Sequence, residues 1–277
     1  MKVNLPKLNL LKLVQKKHTT APVSGEVQQK TLHQNLDFTA TEQYKLLRAN
    51  LDFTIPEGTK CPVIGVTSSM RGEGKSTTAV NLSYVLAERG NKVLLIDGDL
   101  RIPSVAKKMG IKSSPGLTNV LMGKEAHAMS QFKSSLLDTW YIMPSGEIPP
   151  NPSELLGSQR MESVLTYLRK FFDYIIIDLP PVNIVSDAIS VSSFITGMVL
   201  VVREEYSEKK ELERCFRQLE LSNVHILGCV INGAKNGSGS YGKYKKYRYY
   251  KYSRYYYKHG YEYKNGYEDA AKEVPND

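Results

Sequence analysis

Residues 61–90 read CPVIGVTSSMRGEGKSTTAVNLSYVLAERG. The first part, CPVIGVTSS, is a short apolar run typical of a buried strand. The last part, GKSTTAVNLSYVLAERG, has the apolar pattern of an amphipathic helix and ends at Gly90, a residue type that commonly follows a helix. The glycine-containing segment between them is therefore predicted to be a tight turn that joins a strand directly to a helix.

The turn at 69–76, SMRGEGKS, matches most of the P-loop pattern G-x-x-x-x-G-K-[ST]. Such a loop presents backbone N–H groups and a helix N-terminus to a triphosphate, with Lys75 directed at the β- and γ-phosphate oxygens and the Ser76 hydroxyl at Mg²⁺. The first position departs from the pattern because Ser69 replaces glycine, a change that is tolerated if the φ angle suits serine. A nucleotide-binding site is expected here.

Further apolar runs alternate with helical patterns along the chain. The runs are KVLLIDGDL at 92–100, WYIMPSG at 140–146, YIIIDLPP at 174–181, GMVLVV at 197–202 and VHILGCVING at 224–233. Helical patterns cover 158–170, 184–194 and 207–221, and a further short helix follows Thr41. Five or six strands in this order predict an α/β fold, a P-loop NTPase-like parallel sheet with helices on both faces. Ligands of such sheets bind at the carboxyl ends of the strands.

Acidic residues follow two of the predicted strands. Asp97 and Asp99 lie on the same side of an extended segment, so one can approach a metal while the other accepts a proton from an attacking hydroxyl. Taken alone, the pair is better explained as a polar strand end that caps a helix. Asp178, at the end of a further strand, has the arrangement of a Walker B residue that holds Mg²⁺ through its water shell. Three such carboxylates beside one P-loop predict a site for phosphoryl transfer.

The net charge of +9 is concentrated at the two ends of the chain. Residues 1–35 contain six lysines and one glutamate, residues 241–277 contain nine Lys or Arg and five Asp or Glu, and the charges between them balance. We predict a basic leader and linker at 1–38, a P-loop domain at 39–235 and a disordered tail at 236–277. Basic ends suit nucleic acid, an anionic membrane or an acidic protein face, although many charge runs only aid solubility.

The tail contains twelve of the eighteen tyrosines, interspersed with lysines and arginines. Their irregular spacing, with glycines among them, fits neither a strand nor a helix, so the segment is predicted to be solvated and to present tyrosines to a partner. The twelve are Tyr241, Tyr244, Tyr247, Tyr249, Tyr250, Tyr252, Tyr255, Tyr256, Tyr257, Tyr261, Tyr263 and Tyr267.

The cysteines and the leader indicate the compartment. Cys61, Cys215 and Cys229 are odd in number and lack CxxC spacing, so they are predicted to be reduced core residues of a cytosolic protein. The leader MKVNLPKLNLLKLVQKK is interrupted by lysines and Asn9, so neither a signal peptide nor a transmembrane span is predicted. It forms either a weak interfacial helix or a disordered leader.

The segments GEGKST at 72–77, LLIDGDLR at 94–101 and IIIDLPP at 175–181 together resemble the Walker A, Walker A′ and Walker B set of the bacterial tyrosine kinases (BY-kinases), which also end in a tyrosine cluster. The likeness extends from about Thr41 to the C-terminus and includes IPPNPSELLGS at 148–158. It implies a P-loop ATPase fold, ATP-dependent tyrosine kinase activity with Mg²⁺, and autophosphorylation of the twelve tail tyrosines between subunits. It also implies regulation of the synthesis and export of capsular or extracellular polysaccharide.

The resemblance assigns roles by position. Asp97 would accept the proton of the substrate phenol, and Asn232 would contact adenine. The implied catalytic residues are Lys75, Asp97, Asp99, Arg101 and Asp178. The implied nucleotide contacts are Arg71, Gly72, Glu73, Gly74, Lys75, Ser76, Thr77 and Asn232. The implied metal ligands are Ser76, Asp99 and Asp178.

The resemblance also implies partners. It is to the cytoplasmic form of Gram-positive bacteria, in which a separate transmembrane chain, a polysaccharide co-polymerase, supplies the activating segment. A location at the inner face of the plasma membrane, a protein tyrosine phosphatase partner and no nucleic acid partner follow from it. Glu42, Lys45 and Arg48 fall on the family's E-x-x-R-x-x-R helix, which mediates ring-like self-association while the tail is unphosphorylated. Lys45 replaces the first arginine of this pattern and lacks the planar group that binds a carboxylate at two points. The alternative is that these residues form an ordinary charged helix face with no role in self-association.

Two other classes of protein are compatible with part of the sequence. The related ParA/MinD-type ATPases act as switches on membrane or nucleic acid without phosphorylating proteins, but they carry a lysine early in the P-loop where this chain has Met70. A tail of tyrosines and cations can also bind single-stranded nucleic acid by stacking, a hypothesis that leaves the P-loop without a role.

Overall fold

The computed structural model describes Leu36 and residues 38–123 and 132–234. The chain divides into two units, Met1–Asn232 and Gly233–Asp277, and nearly all described residues belong to the first unit. The leader at 1–35 and the twelve tail tyrosines lie outside the described residues. The domain boundaries, the disorder and the modification proposed for these segments therefore stay predictions.

Six strands form one parallel sheet, and each of them coincides with an apolar run of the sequence. The order across the sheet is β3-β2-β4-β1-β5-β6, so β1 lies between β4 and β5. The strands are β1 (Val63–Ser68), β2 (Val93–Asp97), β3 (Trp140–Met143), β4 (Tyr174–Asp178), β5 (Gly197–Arg203) and β6 (Ile226–Asn232).

Eight α-helices accompany the strands in the described residues. None of them is long and apolar enough to cross a membrane. The three short helices α3, α4 and α5 were not predicted from the sequence, because each spans only one or two turns. The helices are α1 (Phe38–Thr54), α2 (Lys75–Glu88), α3 (Val105–Met109), α4 (Leu117–Met122), α5 (Pro152–Leu156), α6 (Gln159–Leu168), α7 (Asp187–Ser190) and α8 (Lys209–Leu221).

Alternate residues of the central strands enter two separate hydrophobic cores, one on each face of the sheet. In β4, Ile175 and Ile177 belong to one core and Ile176 belongs to the other. Helices α4 to α8 contribute residues to the first core, and α1, α2 and α3 contribute to the second. The predicted α/β architecture, a parallel sheet with helices on both faces, is confirmed.

Two predictions about local structure were wrong. The pattern at 184–194 predicts one helix, but the chain forms the four-residue α7 and then a 3₁₀ turn at Ser192–Phe194. The preceding residues are held in a turn because the N–H groups of Ile184 and Val185 donate to the carbonyl of Pro181. Cys229 was predicted to be a core residue but is exposed, because it lies on the edge strand β6, whereas Cys61 and Cys215 are buried.

Replacing Leu95 with alanine should lower the free energy of unfolding by about 2–5 kcal/mol, because the side chain is fully buried in β2 and its removal leaves a cavity. The matched change Leu221→Ala should cost less than about 0.5 kcal/mol, because Leu221 is 78% exposed at the end of α8. Urea unfolding of the full chain measures both values. Equal destabilisation by the two changes would contradict the placement of Leu95 in the core.

Candidate active site

The P-loop and the predicted acidic residues meet at the carboxyl edge of the sheet. Strand β4 lies between β1 and β2, so the P-loop that follows β1 and the acidic ends of β2 and β4 are brought together. The register pairs Asp97 with Asp178, and Asp178 with Val66 of β1. Two carboxylates that are 81 positions apart in the sequence therefore lie side by side on neighbouring strands.

The P-loop turns into α2 at Gly74. This residue has a left-handed φ of 99°, which glycine adopts without strain, and it has no side chain that could cap the helix. The first N–H groups of α2 have no partner within the helix and are suited to bind an anion. A Cβ atom at Gly74 would collide with the side-chain amide of Asn232, which donates to the carbonyl of Glu73 at 3.0 Å. Asn232 thus holds the P-loop in place. Its predicted contact with adenine stays a prediction.

Glu73 holds the P-loop from inside. Its carboxylate is fully buried and accepts hydrogen bonds from the hydroxyl of Ser69 (2.8 Å), the hydroxyl of Ser207 and the N–H of Met70 (2.9 Å). Ser69 has a φ outside the left-handed region, so serine is accommodated in place of the glycine of the pattern. The side chain of Glu73, predicted to contact the nucleotide, is directed into the protein instead. Any contact that Glu73 makes with phosphate is then through its backbone.

Lys75 is surrounded by carboxylates. Its Nζ atom lies 3.0 Å from Oδ2 of Asp99 and 3.6 Å from Oδ1 of Asp178, and it donates to the hydroxyl of Ser76 at 3.4 Å. Burial lowers the pKa of Lys75, but the charges of Asp178 and Asp99 more than offset this effect, so the pKa is raised. The other oxygen of Asp99 accepts from the N–H of Ile102 at 3.0 Å. Lys75 is therefore a fully charged group held at the start of α2.

Asp178 is the least compensated charge of the site. It is completely buried, and neither of its oxygens has a hydrogen bond within the described residues. Burial raises its pKa, and the charge of Lys75 opposes this shift. The hydroxyl of Ser76 is close to this carboxylate. A hydrated cation bound between them would supply the partners that the buried oxygens of Asp178 need.

The residues present fit Mg²⁺. In the described segments, no group of three Asp, Glu, His or Cys could hold a metal ion without other ligands. Mg²⁺ needs no such group, because it retains several waters and is usually bound by one or two protein oxygens together with substrate phosphates. The hydroxyl of Ser76 and the carboxylates of Asp99 and Asp178 are the residues that would hold it.

The carboxylate of Asp97 is held by backbone N–H groups. Its Oδ2 accepts from the N–H groups of Ser104 (3.0 Å) and Val105 (2.9 Å) at the start of α3, and its Oδ1 accepts from the N–H of Asp99 at 3.3 Å. It therefore caps a helix, as the alternative hypothesis proposed. Burial and the adjacent charge of Asp178 raise its pKa to about 7. Asp97 can thus exchange a proton near neutral pH.

Arg101 is not part of the group around Lys75. Its guanidinium binds both oxygens of the buried carboxylate of Asp187, with Nε at 2.9 Å and Nη2 at 3.0 Å. The hydroxyl of Ser153 donates to the same carboxylate at 2.5 Å. Arg101 therefore joins the segment after β2 to α5 and α7. Asp187 and Ser153 were missed by sequence reasoning, although Ser153 lies in the conspicuous IPPNPSELLGS segment.

Further residues that the sequence did not indicate support the P-loop. They lie at the end of β5 and in the β5–α8 loop, residues 204–208. Arg203, the last residue of β5, donates from Nη1 to the carbonyl of Gly72 at 3.0 Å, and the hydroxyl of Tyr206 donates to the carbonyl of Arg71 at 3.1 Å. Glu205 has a left-handed φ of 58°, uncommon for a residue with a side chain. Nothing in the local sequence signals these contacts, because they join segments more than 130 residues apart.

Two further lysine or arginine side chains have partners that the sequence did not indicate. Lys108 of α3 donates to the hydroxyl of Thr77 at 3.3 Å, which brings a cation to the first turn of α2. Arg48 donates to the carbonyl of Val85 at 2.6 Å and so fastens α1 to α2. Lys45 and Glu42 form an ion pair at 2.9 Å on α1. The predicted oligomerisation residues are thus engaged within the domain, and their role in self-association stays a prediction.

Comparison with known proteins identifies the same segment of the chain. The family model described as an AAA domain matches residues 61–226. Tyrosine-protein kinase YwqD of Bacillus subtilis (strain 168) is 39% identical over 182 residues, which cover 65% of this chain and 76% of that protein. Tyrosine-protein kinase CpsD of Streptococcus agalactiae is 35% identical over 193 residues, which cover 69% and 83% of the two chains.

A solved structure agrees with these relatives. The kinase domain of the Escherichia coli tyrosine kinase ETK has a TM-score of 0.66 at 28% sequence identity, and the match covers 82% of this chain and 86% of that one. The family model extends over more than half of the chain, and the P-loop and acidic strand ends lie within the matched residues. The chain belongs to the bacterial tyrosine kinase family.

Proposed function

We propose that this kinase transfers the γ-phosphoryl group of ATP to tyrosine hydroxyls, and that its main acceptors are the tail tyrosines of a neighbouring subunit. One observation carries the proposal. The P-loop residue Lys75 lies within ion-pair distance of both Asp99 and Asp178, and Asp97 ends the strand next to Asp178. This arrangement joins a phosphate-binding cation to a carboxylate that can accept a proton.

Each side chain has a separate task in this mechanism. The N–H groups at the start of α2 and the charge of Lys75 bind and orient the phosphates. Mg²⁺, held by Ser76 with Asp99 and Asp178, would supply further positive charge to the phosphate oxygens. Asp97 accepts the proton of the attacking phenol, and a base with a pKa near the working pH is suited to this role. Its hydrogen bonds from three N–H groups fix the orientation of the carboxylate.

The charge of the tail gives phosphorylation a physical consequence. Residues 241–268 contain eight Lys or Arg and two Asp or Glu, a net charge of +6. Each phosphotyrosine adds roughly −1.5 to −2, so about three or four of them cancel the positive charge. We propose that the unphosphorylated tail binds the acidic site of a neighbour within a ring, and that the phosphorylated tail leaves it and the ring dissociates.

Membership of the family supports proposals about partners and location. We propose that a transmembrane chain of the polysaccharide co-polymerase type activates this kinase and holds it at the inner face of the plasma membrane. A protein tyrosine phosphatase would remove the phosphates. The cycle would regulate the synthesis and export of capsular or extracellular polysaccharide.

Lys75→Met should reduce phosphate transfer to the tail by roughly 10²–10³-fold, because the charge that binds the phosphates is lost. The full chain is incubated with ATP, Mg²⁺ and the cytoplasmic segment of its transmembrane partner, and phosphotyrosine is mapped by mass spectrometry. The matched change Lys170→Met, at an exposed lysine beyond α6, should leave transfer unchanged. Hydrolysis of ATP by the wild-type chain with no phosphate on any tyrosine would instead support a ParA/MinD-type switch ATPase.

Asp97→Asn should reduce transfer to the tail at least 100-fold and should remove its pH dependence. In the wild-type chain, kcat/KM should rise with pH and level off above about pH 7, because the base works only in its ionised form. Rates of tail phosphorylation, measured from about pH 5.5 to about pH 8.5, give this profile. A bell or plateau at the same pH in the variant would exclude Asp97 as the base.

Asp97→Asn, which should lower activity, should raise the unfolding free energy at high pH. A carboxyl whose pKa is raised on folding keeps its proton better in the folded state, so its contribution to stability falls as the pH rises from about 4 to about 7. Relative to the wild type, Asp97→Asn should therefore gain on the order of 4 kcal/mol in unfolding free energy at about pH 8 compared with about pH 4. The matched change Glu57→Gln, at an exposed carboxylate in the loop after α1, should show no such difference in urea unfolding.

A further inference from the structure

Tyr206 differs from the other tyrosines of the kinase domain in its exposure. Six tyrosines lie in the described residues, and five of them are buried or half-buried. Tyr206 is the exposed one, with 52% of its surface accessible. The other five are Tyr44, Tyr84, Tyr141, Tyr167 and Tyr174. A kinase that modifies tyrosines thus carries one accessible acceptor within its own described domain, besides those of the tail.

The hydroxyl of Tyr206 is in contact with the P-loop. It donates to the carbonyl of Arg71 at 3.1 Å, and a Cβ atom added to Gly72 would lie 2.9 Å from its oxygen. The guanidinium carbon of Arg203 lies 5.0 Å from the centre of the Tyr206 ring, and Nη1 of the same arginine donates to the carbonyl of Gly72. Tyr206 and Arg203 therefore support two successive carbonyls of the P-loop.

These contacts place Tyr206 behind the phosphate-binding surface of its own P-loop. A P-loop binds phosphate through N–H groups that point to one side, and the carbonyls of such a segment point away from that side. Tyr206 and Arg203 bind carbonyls, so the phenol faces away from the nucleotide of its own subunit. Transfer to Tyr206 then requires the active site of a second copy.

We propose that Tyr206 is a phosphorylation site of this kinase, modified by a second copy, and that phosphate there loosens the P-loop and weakens ATP binding. In the transfer, the bond between the γ-phosphorus and the oxygen bridging to the β-phosphate breaks, and its electron pair leaves with ADP. A bond forms between the γ-phosphorus and the phenol oxygen of Tyr206. The phenol proton passes to a carboxylate of the catalysing copy. The inference rests on the tyrosine kinase activity proposed above.

A phosphate on Tyr206 would remove the two hydrogen bonds that Tyr206 and Arg203 make with the P-loop. The phosphorylated oxygen no longer has a proton to donate to the carbonyl of Arg71, and the negative charge of the phosphate group is repelled by that carbonyl. The guanidinium of Arg203, already next to the ring, pairs more strongly with phosphate than with a neutral carbonyl and would leave Gly72. The N–H groups of the P-loop would then be less well ordered for the nucleotide. The modification is thus inhibitory.

Mapping of phosphate tests the first part of the proposal. Wild-type chain is mixed with isotopically heavy Lys75→Met full chain, ATP and Mg²⁺, with the partner's cytoplasmic segment present. Trypsin releases residues 204–209, EEYSEK, with Tyr206 as its single tyrosine. Phosphate on the heavy form of this peptide supports the inference. Phosphate on tail peptides alone overturns it and leaves the proposed function intact, whereas no phosphate on either overturns the proposed function.

Affinity for ATP tests the second part. Calorimetric titration with MgATP should give a Kd that is about threefold to tenfold higher for Tyr206→Phe, which loses one hydrogen bond. The Kd should rise further for Tyr206→Glu, which also introduces negative charge. Tyr167→Phe, on α6 against Phe171, should leave the Kd unchanged.

A kinetic measurement separates a loosened P-loop from a damaged fold. Tyr206→Glu should raise the KM for ATP while kcat for tail phosphorylation at saturating ATP stays within about twofold, because affinity alone is affected. A Kd and KM equal to those of the wild type would overturn the inhibitory role. A fall in kcat without a change in KM would overturn it as well.

Discussion

The active site depends on the burial of three carboxylates around a single lysine. Parallel pairing of β2 with β4 places Asp97 beside Asp178, and burial removes most of the water that would separate their charges. Lys75 lies close to Asp99 and Asp178 and offsets part of the repulsion, while Asp97 is stabilised by backbone N–H groups. Burial is the main reason why the pKa of Asp97 and that of Asp178 are raised, and the negative charges of the neighbouring carboxylates add to this effect. The folded domain thus tolerates an unfavourable cluster of negative charge that a bound cation would relieve.

The P-loop is held by the strands on the other side of β1. Ser207 binds the buried carboxylate of Glu73, Arg203 and Tyr206 bind carbonyls of the loop, and Asn232 binds the carbonyl of Glu73. Strands β5 and β6 therefore set the conformation of a loop that follows β1. A loop fixed in this way presents its N–H groups without reorganisation, so little free energy is spent on ordering the loop when phosphate binds.

The sequence predicts those features that depend on local pattern. Strands β1 to β6 are apparent because each is a continuous apolar run, and the P-loop and acidic strand ends are apparent because their spacing is short. The partners of Glu73 and Arg101 are not apparent, because Ser207 and Asp187 are far away in the chain and serine and aspartate are common residue types. The exposure of Cys229 depends on strand order, which no local pattern records. The failure at 184–194 has a local cause, because hydrogen bonds from Ile184 and Val185 to the carbonyl of Pro181 hold the first residues of the helical pattern in a turn.

The position of Asn232 has a consequence for how acceptors reach the active site. Asn232 is the last residue of β6 and contacts the P-loop, so the chain leaves the domain at the edge of the sheet where the nucleotide binds. Tyr241 follows nine residues later and Tyr267 thirty-five residues later, and even a fully extended chain would span at most about 30 Å and about 120 Å respectively. Under the function proposed above, a tail that starts beside one active site would be long enough to be offered to the active site of a neighbouring subunit, at an effective concentration in the millimolar range. Tether length, rather than a sequence motif, would then decide which tyrosines are reached, which suits their irregular spacing.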